Sequence, residues 1–238
     1  MALRLERMEE SIGMEPNGQS QAANEGSGRA RPPLLGEAAP AFHARTTQGD
    51  RGLEDYRGRW LVFFAHPADF TPVCASEFIA FSKAYDLFQK LGCDLLGLSV
   101  DSLFAHIAWI ANIKERFGVE VPFPIVEDPS MAVARAYGML HPGVHTSATV
   151  RATFVIDPEG VIRAIIWYPM NVGRSVDELL RLVTALQTSD RSEVFTPEGW
   201  RPGDPVLVPP PLVAPRGKRA PSAAGQSDWY YRLELADG

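Results

Sequence analysis

The stretch AHPADFTPVCASE, residues 65–77, places a thiol where a helix can begin. Pro72 suits the first helical position, where a missing N–H costs nothing. Thr71 before it can serve as the cap. Cys74 then falls in the first turn, where unpaired amides and the positive end of the helix dipole favour an anion. The anionic sulfur is the nucleophile; the neutral thiol is not. Cys74, Phe78, Phe81, Tyr85 and Phe88 recur at helical spacing, so the sulfur heads a core-facing stripe, partly shielded from water. Free cysteines are more often small buried hydrophobes. A core cysteine, however, needs neither the Thr-Pro start nor the polar run HPADFTP before it.

The elements that must hold this thiol can be read outward from it. WLVFFA, residues 60–65, is a short β-branched and aromatic run, the mark of a buried strand. A helical pattern follows over residues 73–91. DLLGLSV, residues 94–100, is strand-like again, and residues 102–117 form an amphipathic helix with Asp101 or Ser102 as its cap. Pro122 and Pro124 bracket an extended piece, and a helix over residues 131–137 stops at Gly138. Residues 152–156 and 161–167 flank DPEG, a turn sequence, and predict a hairpin. Val176, Leu179, Leu180, Val183 and Leu186 repeat at helical spacing over residues 175–186. Strands alternating with helices, plus one hairpin, indicate an α/β fold with a mixed sheet.

The flanks read differently. Residues 13–33 contain almost nothing that could form a core, so residues 1–33 are expected to be a disordered extension. Residues 34–189 form the folded domain, and residues 190–238 a Pro-rich, irregular C-terminal arm. A net charge of −6 gives no electrostatic case for nucleic acid or an anionic membrane, and no run is apolar enough to span a bilayer. The N-terminal MALRLERMEE leads into no apolar signal segment. Two cysteines, Cys74 and Cys93, are too few for a disulfide framework and are not spaced as a zinc site. A reducing, cytoplasmic compartment suits them.

HPADFTPVCASE resembles the peroxiredoxin active-site motif Pro-x-x-x-Thr-x-x-Cys, here Pro67, Thr71 and Cys74. LGLSVDSLFAHIAWI, VRATFVID, YPMNVGRSVDELLRLVTALQ and EVFTPEGWRPGD resemble further segments of that family in the same order, over roughly residues 36–215. The resemblance implies a thioredoxin-like α/β fold with a mixed central sheet flanked by helices and an extended C-terminal arm. It also implies a thiol-dependent peroxidase that reduces hydrogen peroxide and organic hydroperoxides through a cysteine sulfenic acid, with no cofactor and no metal. Cys74 would be the nucleophile and Thr71 would hydrogen-bond sulfur and peroxide. Arg151 would supply fixed positive charge, and Pro67 would exclude water. Glu77 and Arg174 match the supporting salt-bridge network. His66 matches a histidine found before the motif proline in many one-cysteine members; it either tunes the thiol or packs at the strand end, and the packing role is favoured slightly.

The second cysteine sets the subtype. Where two-cysteine members carry a resolving thiol in a Val-Cys-Pro segment, this chain has Val194, Phe195, Thr196 and Pro197. Cys93 opens a core strand and reads as structural. A one-cysteine mechanism follows, with an external thiol reductant, either a thioredoxin-like protein or a small thiol. Some animal relatives add a phospholipase serine just before the first core strand; Arg59 stands there, so that activity is not expected. The family pairs through sheet edges, which predicts a homodimer and, beyond it, a homodecamer, with the apolar PVLVPPPLV of the arm wrapped on the partner.

Other readings compete. A thioredoxin-type oxidoreductase needs Cys-x-x-Cys, but Ala75, Ser76 and Glu77 follow Cys74. A non-enzymatic redox sensor or holdase chaperone would use the same cysteine, and the speed of its oxidation by peroxide separates these from an enzyme. A metal module would need His66 or His141 beside Cys74, and their spacing offers no cluster.

Overall fold

A computed structural model describes residues 31–141, 143, 148–212 and 230–235. The expected disordered segment therefore lies almost wholly outside the described residues. Arg31, at its end, is hydrogen-bonded to Glu37, and Pro33 is buried.

Seven strands form one mixed sheet in the order β2 (Gly49–Gly52), β1 (His43–Thr46), β5 (Ile125–Glu127), β4 (Cys93–Ser99), β3 (Trp60–Ala65), β6 (Arg151–Ile156) and β7 (Ile162–Tyr168). Strand β3 (Trp60–Ala65) lies at its heart, parallel to β4 (Cys93–Ser99) and antiparallel to β6 (Arg151–Ile156). Every residue of β3 is buried, because both faces are covered. Leu61, Phe63 and Ala65 face one core with Tyr137 and Phe154; Val62 and Phe64 face a second with Phe78, Phe81 and Trp109. The second core is roofed by α1 (Pro72–Lys90), α2 (Leu103–Phe117) and α4 (Val176–Ser192). Gly97 of β4 lets α1 approach closely: a Cβ there would stand 3.2 Å from the Phe78 ring.

The expected elements are present. Pro72 is the first residue of α1. Ser102 caps α2 by accepting from the Ala105 N–H at 3.3 Å, and Gly118 ends it in the left-handed conformation. The DPEG turn closes with the Gly160 N–H on the Asp157 carbonyl at 2.8 Å, joining β6 to β7 (Ile162–Tyr168). The short α3 (Ala132–Ala136) stops before Gly138.

Three features differ from the sequence reading. A hairpin of β1 (His43–Thr46) and β2 (Gly49–Gly52) extends the sheet beside β5 (Ile125–Glu127). Helix α4 runs to Ser192, six residues further than its apolar repeat. The arm is not wholly irregular: β8 (Val206–Leu207) pairs with β9 (Leu233–Glu234), and Trp200 and Val206 are buried against Ala185 of α4. No helix among the described residues is long and apolar enough to cross a membrane.

Candidate active site

The carboxyl end of β3 runs into loop 66–71 and then into α1, which puts the first turn of α1 at the sheet's edge. Because β6 runs antiparallel to β3, its first residue, Arg151, returns to that same edge. Strand β7 is paired so that Tyr168 lies opposite Arg151, and Met170 stands two residues further on. Three chain segments distant in sequence thus meet around Cys74.

Cys74 is fully buried. Arg151 Nη1 stands 3.3 Å from its sulfur and donates to Glu77 Oε2 at 2.7 Å. The guanidinium is held from behind by the Met170 carbonyl, which accepts from Nε at 3.0 Å and Nη2 at 2.7 Å. Glu77 lies one turn along α1 from Cys74 and is buried as well. Its two oxygens also accept from Arg174, whose Nη1 donates to the carbonyls of Ala65 and Ala152 and to the Thr153 hydroxyl. The Arg174 guanidinium also lies over the Phe64 ring, 5.0 Å from its centroid. Burial alone would raise the Glu77 carboxyl, but hydrogen bonds and charge from Arg174, joined by Arg151, hold it below the ordinary carboxylate range. Two guanidiniums and one carboxylate leave a single buried positive charge, which a thiolate at Cys74 balances.

Thr71 occupies the N-cap position, with extended φ of −106°, yet its side chain caps no amide. Its hydroxyl donates instead to the Ala68 carbonyl at 2.9 Å, tying the loop to itself. The expected side-chain cap is therefore absent, and the first-turn amides are not consumed by it. Pro67 is buried at the start of the loop. The structure joins Cys74, Arg151, Glu77 and Arg174 in one hydrogen-bonded group, with Pro67 and Thr71 on the adjoining loop.

His66 belongs to a different network. Its Nε2 lies 2.8 Å from Asp69 Oδ1, while Asp69 Oδ2 lies 2.7 Å from His106 Nδ1. The His66 ring stacks on Trp109 and meets the edge of Phe78. Its backbone carbonyl accepts from the buried Thr149 hydroxyl at 2.8 Å. Asp69, His106, Thr149, Thr153 and the Met170 carbonyl are site components that spacing did not single out. Asp69 alone left a trace, as an acid inside the short HPADFTP run. His66, Asp69 and His106 could each offer a ligand atom to a metal, a cluster that excludes both Cys74 and His141.

Cys93 is buried at the opposite end of α1, at the start of β4 beside Trp60. Burial, reinforced by the neighbouring Asp94, pushes its thiol up to about 12. Arg59, next to it, is committed to Asp94 and Gln89.

Comparisons with known proteins agree with this architecture. The AhpC/TSA family profile matches residues 35–165, and a profile described as the C-terminal domain of 1-Cys peroxiredoxin matches residues 185–212. A peroxiredoxin of Aquifex aeolicus is 51% identical over 210 residues, covering 83% of this chain and 95% of its own. Among solved structures, a yeast mitochondrial 1-Cys peroxiredoxin, described as resolved via glutathione/thioredoxin systems, superposes with a TM-score of 0.69. It is 41% identical and covers 74% of this chain and 87% of its own. A cysteine-to-serine mutant of Peroxiredoxin 6 of Arenicola marina gives a TM-score of 0.71 at 36% identity, covering 76% and 86%.

Proposed function

The chain belongs to the AhpC/TSA family, the peroxiredoxins, and is a thiol-dependent peroxidase; from that premise we propose that it runs a one-cysteine cycle on hydrogen peroxide and organic hydroperoxides. The observation that carries this reading is Arg151 Nη1 at 3.3 Å from Cys74 Sγ, inside a buried group whose charges cancel when the sulfur is a thiolate.

The Cys74 thiolate attacks one peroxide oxygen in line with the O–O bond. An S–O bond forms, the O–O bond breaks, and the leaving hydroxide or alkoxide takes a proton to depart as water or alcohol. Sulfur loses two electrons and becomes the sulfenic acid. Arg151 offers donors and permanent charge to the sulfur and to the developing oxyanion, and the Met170 carbonyl and Glu77 keep that fork from turning. Glu77 and Arg174 act through Arg151. Thr71 orients the peroxide from the loop, and buried Pro67 keeps water out.

The reductant comes from outside the chain. Helix α1 spans 19 residues, from Pro72 to Lys90. At about 1.5 Å per residue it separates Cys74 from Cys93 by roughly 25 Å. A disulfide needs Cα atoms about 4.4–6.8 Å apart. The sequence contains no third cysteine. An external thiol, from a thioredoxin-like protein or a small molecule, therefore attacks the sulfenic sulfur, releases water, and a second thiol frees Cys74. The match to the 1-Cys C-terminal profile supports this cycle. Strand β7 ends the sheet, and beyond Ile162, which bonds to Gly36 and Glu37, no strand lies along it among the described residues; that edge, with Trp167 exposed, supports a homodimer, and exposed Phe104 and Ile107 on α2 support closure of dimers into a homodecamer. Two free thiols suit a cytoplasmic setting.

A peroxidase assay with dithiothreitol tests the cycle. The wild type turns over and Cys74→Ser does not; sustained turnover by Cys74→Ser ends the proposal. Oxidation of Cys74 no faster than that of free cysteine leaves a redox sensor or a holdase.

A further inference from the structure

Three buried ionisable side chains take no part in the reaction above. Asp69 offers one oxygen to His66 Nε2 at 2.8 Å and the other to His106 Nδ1 at 2.7 Å. The far nitrogen of His106, Nε2, faces the Val126 carbonyl at 3.2 Å. The far nitrogen of His66, Nδ1, is buried and has no hydrogen-bond partner among the described residues.

These contacts assign the protons. A carboxylate only accepts, so each nitrogen that faces it carries hydrogen. A backbone carbonyl also only accepts, so both ring nitrogens of His106 face acceptors. His66 meets no acceptor at Nδ1 and is neutral, protonated at Nε2. Burial, only partly offset by Asp69, pulls the His66 ring below the ordinary imidazole range, in keeping with that neutral form. Burial alone would raise Asp69, but the two imidazoles hold it low and ionised. A bound metal fits less well. Its ligand atoms converge on one centre, whereas here each imidazole takes a different oxygen at hydrogen-bond distance.

The network grips loop 66–71. The Asp69 N–H donates to Asp101 Oδ2 at 2.9 Å, and the Ser99 hydroxyl donates to the same oxygen at 2.8 Å. Phe70, the next residue, has φ of +55°, a left-handed conformation that is unfavourable for a bulky side chain and persists only where the surroundings over-determine it. Its ring is exposed, so ring packing does not hold it there. The constraint comes from Asp69 on one side and from the bond of Thr71 to Ala68 on the other.

Building on the peroxidase reading, we propose that Asp69 and His106 are positioning residues for peroxide reduction. Their buried carboxylate–imidazolium pair, completed by neutral His66, holds loop 66–71 in the shape that sets Thr71 and Pro67 against Cys74. Neither residue touches the sulfur in this scheme; both act through the loop.

The test uses the full-length protein. Asp69→Asn keeps the side-chain size but leaves an acceptor for only one imidazole. Stopped-flow oxidation of Cys74 by hydrogen peroxide slows on the order of ten- to a hundredfold, while alkylation of the same thiol by iodoacetamide, which needs no peroxide alignment, keeps its rate. His106→Gln carries the same comparison if Asp69→Asn does not fold. Histidine ¹⁵N NMR at neutral pH reads the protons directly. One ring is protonated at both nitrogens, its signal is lost in His106→Gln, and another ring is protonated only at Nε2. A fast wild type with an equally fast Asp69→Asn, equal slowing of oxidation and alkylation, or a neutral His106 overturns the positioning role. A wild type that reacts like free cysteine removes the peroxidase reading itself.

Discussion

Glu77 and Arg174 are joined by three hydrogen bonds: the Arg174 backbone N–H and Nε reach Oε1 at 2.8 and 2.9 Å, and Nη2 reaches Oε2 at 2.7 Å. Arg174 stands just before α4 and Glu77 on α1, so this contact pins the two helices together at the thiol end of the sheet. Glu77→Gln keeps the shape but removes the carboxylate that two buried guanidiniums share. Breaking a buried ion pair in this way costs about 3–5 kcal/mol. Urea unfolding should show a loss of that order, and peroxide oxidation of Cys74 should slow as Arg151 loses its brace. A variant as stable as wild type would show that the carboxylate does not hold the helices.

The same carboxyl predicts an acid dependence. Its folded-state value is held below the ordinary value of 4.5. Its stabilising contribution is therefore fully present above about 4.5 and is lost as pH falls through the lower folded value. Unfolding free energy of the wild type, measured in urea from neutrality down through that window, should fall in acid. Glu77→Gln, which has nothing to protonate there, should fall less steeply. Equal slopes would refute the assignment.

Arg151→Lys separates charge from geometry. A lysine keeps the positive charge but cannot at once face sulfur, grip Glu77 and give two bonds to the Met170 carbonyl, as the guanidinium does. Loss of such preorganised donors costs about 10²–10³ in rate. Stopped-flow oxidation should fall by that order in a protein whose melting temperature changes little by comparison. A lysine variant near the wild-type rate would mean that charge alone suffices.

What could be read from residue order was whatever is local. The Thr-Pro start of α1, its apolar stripe, the Ser102 cap and the DPEG turn each depend on neighbours within a few positions, and each is present. The β1–β2 hairpin was not legible, because HART and GDRG have no apolar alternation and β1 is completed by Val126, far along the chain. The polar end of α4 is tied down by Gln187, which donates to the Leu91 carbonyl, and by Ser189, which donates to the Val194 carbonyl, contacts that an apolar repeat does not reveal. Cys74 was legible from the helix start before it, whereas Arg151, Glu77 and Arg174 were legible only through a family resemblance. His106 had no local signal at all, since it meets Asp69 across 37 positions from another helix.

The two cysteines should behave as different chemical species. Cys93 is fully buried, its thiol is pushed up to about 12, and its sulfur lies 3.6 Å from the Asp94 carbonyl oxygen. At pH 8 it is almost wholly protonated and poorly nucleophilic. Treating the native protein with one equivalent of hydrogen peroxide and trapping sulfenic acid with a dimedone-type reagent should mark Cys74 alone by peptide mass spectrometry. Cys93→Ala should keep dithiothreitol-driven turnover within about twofold of wild type, a difference below ~0.5 kcal/mol in activation free energy. It should also lose some stability, since a buried sulfur leaves a small void. Turnover that collapses in a folded Cys93→Ala protein, or an intramolecular Cys74–Cys93 disulfide in the oxidised wild type, would require the N-terminal end of α1 to unwind over most of its length and would replace the external reductant with an internal one.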